Sequence, residues 1–161
     1  MTDTLLAQWT DLFAYGISFA VIGKFWLAHH RFFAALERFD GPLMGLNLVY
    51  LAFIALLPFT SQVLGDYGRE IAAIVLYAIN LACVNIAFHI EILYALRHDL
   101  LRPRAREGER RYDVHTNLLI AAVFIVSIPV AFASTLAATL MWLAVFVVGA
   151  RLSNRLVALR S

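Results

Sequence analysis

Apolar residues are not scattered along this chain; they come in five long runs separated by short polar breaks. The runs cover residues 8–28, 43–64, 71–96, 117–133 and 136–150. A helix that crosses a bilayer needs about 20 mostly apolar residues, and a membrane strand needs only about ten, with alternating polarity. These runs are too long and too continuous for strands. A backbone in lipid must also satisfy its own hydrogen bonds, which a helix does within one segment. The pattern therefore predicts an all-α fold, a multi-pass membrane helical bundle of five transmembrane helices forming a single transmembrane domain over residues 1–161. Pro58 falls late in the second run, where it is expected to kink or end the helix, and Pro129 lies late in the fourth. Only Ser134 and Thr135 part the last two runs, which predicts a tight helical hairpin.

Composition agrees. Of the 161 residues, 62% are hydrophobic and 15% charged, with mean hydropathy +0.78. A soluble domain of this size is nearer half apolar and a quarter charged. The first run opens behind Asp3 rather than a basic stretch and ends in His-His-Arg, so it is expected to be retained rather than cleaved as a signal peptide. The single cysteine, Cys83, lies inside an apolar run and reads as a packing residue.

The net charge of +2 says little, but its distribution says more. Eleven of the thirteen basic residues follow the first, third and fifth runs: Arg31 and Arg38, then six arginines between Arg97 and Arg111, then Arg151, Arg155 and Arg160. The positive-inside rule makes that side cytoplasmic. The N-terminus is then outside, the C-terminus cytoplasmic, and the number of spans odd. Residues 97–116 read as a solvated cytoplasmic basic loop able to meet anionic membrane lipid. No nucleic acid partner is expected, because this loop is tethered at the bilayer and carries no interleaved aromatics.

Polar groups inside spans are costly and mark candidate sites. The first run holds Lys24, placed to snorkel toward the interface, and then Trp26, His29 and His30. Trp26 and His30 share a helical face; His29 points elsewhere. Asn47, early in the second run, lies at a depth similar to His30, which permits a hydrogen bond between the two helices. The third run carries Asn80, Asn85, His89 and Glu91, with Asn85 and His89 four apart on one face. A haem or metal bridging His30 and His89 lacks a completing carboxylate or thiolate, so no cofactor and no metal is expected, and an interhelical hydrogen-bond network is the better reading. No catalytic string or phosphate loop occurs, and no enzyme activity is expected.

The string Phe25-Trp26-Leu27-Ala28-His29-His30-Arg31-Phe32-Phe33, with Asn47-Leu48 and Leu56-Leu57-Pro58-Phe59-Thr60, resembles the transmembrane protein 175 family of potassium channels, in its bacterial branch. The resemblance covers about residues 9–100. It implies potassium ion permeation through a homo-oligomer, a tetramer in the bacterial members, in a cell membrane. It also implies that Trp26, His30 or His29, and Asn47 form a bracing network. In the family that network supports a leading pore-lining helix with an Arg-x-x-x-Phe-Ser-Asp signature. Phe-Ser-Asp does not occur here, and the first run corresponds to the family's second helix. The filter positions therefore have no counterpart in this sequence, and the pore filter residues are unknown. Three functions follow as expectations: a potassium channel subunit, a non-conducting membrane scaffold or accessory protein that keeps the helical core, and, more remotely, a redox or metal protein using His30 and His89.

Overall fold

The computed structural model describes residues 2–143 and residue 145, and its ordered elements are helices. They are α1 (Thr2–Ala35), α2 (Gly41–Asp66), α3 (Ile71–Arg97), α4 (Pro103–Ala133), and α5, described over residues 135–143. Among the described residues, three stretches are long and apolar enough to cross a membrane: Gly41–Asp66, Ile71–Arg97 and Thr116–Ala133. At 1.5 Å rise per residue, the 26 and 27 residues of α2 and α3 extend about 39–40 Å, more than the roughly 30 Å of hydrocarbon. The end of the fifth run, residues 146–150, lies outside the described residues.

α3 is the axis of the bundle. It packs on α2 along one side and α4 along the other, while α1 meets α2 over a shorter stretch. Its buried side includes Ile74, Ala78, Val84, Phe88, Ile92 and Ala95. Two clusters form the interior. One gathers Phe32, Leu43, Tyr50, Phe88 and Ile92 toward the end where α1 finishes. The other gathers Leu57, Ile74, Phe124, Ala131, Ala138 and Trp142 toward the opposite end. Large apolar side chains also point outward, among them Phe19, Leu48, Phe59, Ile79, Leu119 and Phe132. In water these would be a liability, but in a bilayer lipid covers them.

The two connections at the α1-finishing end are tied together. Leu36 and Leu101 form an antiparallel bridge, with Glu37 N–H donating to the Leu100 carbonyl at 2.9 Å and Arg102 N–H to the Ala35 carbonyl at 3.0 Å. Asp99 takes a left-handed φ of 56°, which a short polar side chain tolerates. Asp40 caps α2, its Oδ1 accepting from Leu43 N–H at 3.0 Å. At the other hairpin, Ser134 ends α4 in an extended conformation, and its Oγ accepts from Ala137 N–H at 3.2 Å to start α5. The connection is Ser134 alone, one residue shorter than the Ser134-Thr135 break expected from sequence.

Two expectations need correction. The basic stretch over residues 97–116 is not a loop throughout: irregular chain occupies only residues 98–102, and α4 starts at Pro103 and runs unbroken to Ala133. Proline at the first helical turn lacks only an N–H that would be unsatisfied anyway, and the arginines and glutamates after it are good helix formers. Of the two outcomes open at Pro58, ending the helix does not occur: α2 continues to Asp66, as α4 runs past Pro129 to Ala133.

Candidate functional site between the first three helices

The bond that joins α1 to α2 is made by His29. Its Nε2 lies 2.7 Å from Oδ1 of Asn47. The imidazole is half-buried and stacks on Tyr50 with ring centroids 5.3 Å apart and planes 6° from parallel. It also leans on Phe33 at 4.4 Å. Tyr50 is fully buried, and its hydroxyl donates to the Phe25 carbonyl at 3.2 Å. That carbonyl is the one His29 N–H meets in a regular α-helix, so one turn of α1 is held by α2 at both of its ends. Phe88 of α3 closes the group, 5.3 Å from Tyr50 and 5.7 Å from Phe32.

Trp26 and His30 do share a face: their rings stack at 5.2 Å, 12° from parallel. That face is turned out of the bundle, since Trp26 is 60% exposed and His30 is exposed beside it. The structure therefore does not bring His30 to Asn47. A face-sharing rule finds which residues lie together but not which way they look, and α1 is apolar on all sides. Lys24 is likewise exposed on α1.

On α3 the polar residues are handled one by one. Asn80 Nδ2 donates to Thr60 Oγ1 of α2 at 3.1 Å, and that hydroxyl donates to the Leu57 carbonyl at 3.3 Å. Asn85 turns back on its own helix and donates to the Leu81 carbonyl at 2.8 Å. Asn85 and His89 thus share a side without bonding each other, and His89 Nδ1 is buried without a partner. Among the described residues no three metal-capable side chains gather.

Sequence reasoning missed three features. Tyr50 was hidden as one more aromatic in an apolar run, although its hydroxyl needs a partner when buried. Ser127 and Trp142 form the bond that holds α5 to α4, with the indole N–H donating to Ser127 Oγ at 2.9 Å. Tyr94 donates to Oδ2 of Asp40 at 2.9 Å and stacks on His98 at 4.2 Å. The Leu43 N–H, the Tyr94 hydroxyl and the nearby His98 all favour the charged carboxylate, so Asp40 is held below its ordinary carboxylate range.

Residues 1–58 match the family model described as endosomal/lysosomal potassium channel TMEM175. Over 87 residues the chain is 39% identical to a potassium channel of Streptomyces collinus, covering 51% of this chain and 42% of that one. Over 67 residues it is 31% identical to a potassium channel of Chamaesiphon minutus, covering 42% and 33%. Over 117 residues it is 26% identical to the endosomal/lysosomal proton channel TMEM175 of Danio rerio, covering 71% and 22%. The chain spans less than half the length of each of these relatives. No solved structure matches. The likeness read from the Trp26–His30 and Asn47 strings is thus borne out: this is a membrane protein related to the TMEM175 channels.

Proposed function

We propose that the chain forms the helical body of a potassium-permeating channel, assembled as a homo-oligomer in the cell membrane. The observation that carries this reading is the α1–α2 contact at His29 and Asn47, which falls inside the segment that matches the channel family. The contact holds two long apolar helices in fixed register, which is what a pore wall built against them requires. In this reading Trp26 and His30, exposed together on the outer face of α1, contact a further helix. The basic residues at the start of α4 support a cytoplasmic position for the α1-finishing end, with the N-terminus of α1 outside. No reaction is assigned to the protein; its role is passage, not chemistry.

A second reading is a non-conducting scaffold that keeps the family's packing core. It is favoured by the close packing of α3 against α2 and α4, which builds two interior clusters among the described residues. Potassium flux into proteoliposomes separates the two, measured with this chain and with a version preceded by a helix bearing the Arg-x-x-x-Phe-Ser-Asp signature. Flux in either form supports permeation. No flux in both, from correctly inserted protein, ends the channel reading.

A further inference from the structure

Glu91 has no part in the site above, yet it is the most anomalous side chain in the bundle. It lies on α3, is fully buried at 0% exposure, and neither carboxyl oxygen has a hydrogen-bond partner. Among the described residues no polar side chain bonds it. Tyr50 of α2 is close enough to interact with it electrostatically, but the Tyr50 hydroxyl donates to Phe25. From α1, His29 lies against the Tyr50 ring and bonds Asn47. On α3 itself His89 stands two residues away, so on a different face, and Tyr94 one turn further on donates to Asp40. α4 offers no titratable side chain over residues 116–133.

A carboxylate enclosed this way, with no cation and no donor among the described residues, carries a desolvation penalty far above that of the neutral acid. The enclosure is complete, so a hydrated metal ion does not fit, whereas a proton takes no room. We propose that Glu91 is a proton-binding site built into the bundle: it holds a proton while α2 and α3 are packed around Tyr50, and losing the proton loosens that contact. The fold thereby responds to pH from its interior. This does not rest on potassium permeation and would hold for a scaffold as well.

The sign is fixed by linkage. A carboxyl that keeps its proton in the folded state and gives it up when unfolded binds more protons folded. Its contribution is fully present at acid pH and declines as pH rises above the ordinary carboxylate range. The test uses the whole chain reconstituted in lipid bilayers and compared with Glu91→Gln, which mimics the neutral acid. Infrared spectra at neutral pH are expected to show a protonated-acid carbonyl band in the wild type that the variant lacks. The melting temperature in detergent is expected to fall with rising pH in the wild type, and this fall should be largely lost in Glu91→Gln. A wild type with no protonated-acid band at neutral pH, or two parallel pH profiles, overturns the proposal. Should the variant fail to insert, the wild type decides alone. Loss of its acid band on alkalinisation, together with faster hydrogen exchange in α3, supports the site; a band unchanged across the range, or none, refutes it.

Discussion

Breaking the His29–Asn47 bond tests the central contact most directly. The bond is short, at 2.7 Å, and joins residues 18 apart in sequence on two helices. Interhelical hydrogen bonds in membranes contribute about 0.6 kcal/mol on average and up to about 1.7. His29 also loses two ring contacts on truncation, with Tyr50 and Phe33, and aromatic pairs contribute about 0.5–1.5 kcal/mol each beyond area. His29→Ala is therefore expected to cost about 2–3 kcal/mol, and Asn47→Ala about 1 kcal/mol. A double-mutant cycle isolates the bond from the stacking, because the stacking is lost equally whether or not Asn47 is present. The expected coupling is about 0.6–1.7 kcal/mol, read from reversible unfolding in mixed detergent. His30→Ala is the control, since its ring rests on an exposed Trp26. It should cost less than about 0.5 kcal/mol, as a surface change does. A coupling near zero, or a His30 variant as damaging as the His29 one, would show that the α1–α2 register is set by something else.

Two further outcomes follow from other contacts. Ser127→Ala removes the acceptor of the buried Trp142 indole N–H, and unfolding should register a loss of about 1–2 kcal/mol, with Ser127→Thr recovering part of it. Asp40 is held below its ordinary carboxylate range by the Leu43 N–H first and by Tyr94 and His98 besides. Its contribution is present above that range and lost as pH falls through its folded value. A melting-temperature profile of Asp40→Asn, which keeps the helix cap but not the charge, should flatten at the acid limb. An unchanged acid limb would mean that Asp40 is not a source of acid sensitivity.

Much of this was legible from the runs of apolar residues, and the exceptions have one cause. The runs place α2, α3 and the membrane portion of α4 to within a few residues, because length and hydropathy alone decide whether a helix can span. The turn at Ser134 was legible because nothing else separates two apolar runs. The inward face of α1 was not. An amphipathic helix in water declares its buried side by polarity, but α1 is apolar around its circumference, so Trp26, His29 and His30 could be grouped by spacing yet not aimed. The same limit hid Tyr50, whose importance lies in one hydroxyl reaching a carbonyl 25 residues away. The helical start of α4 escaped for the opposite reason: charge was taken as a sign of loop, although arginine and glutamate favour helix once Pro103 sets the first turn.

This division bears on what holds the bundle together. Apolar burial cannot select the register of one membrane helix against another, because lipid solvates the same side chains as well as a neighbouring helix does. α3 and α4 escape the problem by close packing, with small residues such as Ala78, Ala82, Ala121 and Ala131 buried along their sides. α1 has no such seam, and it touches α2 over a shorter stretch. Its position must then come from directional contacts, and besides the Arg102 N–H on the Ala35 carbonyl at its very end, those described are the His29–Asn47 bond and the Tyr50 hydroxyl on Phe25. The last two converge on one helical turn, and Tyr50 links that turn to Phe88 on α3, three residues before Glu91. A change in the charge of Glu91 would therefore be felt first where α1 is least firmly held. That makes the turn from Phe25 to His29 the place where the bundle yields most readily, and the Trp26–His30 face, carried on the same turn, would move with it.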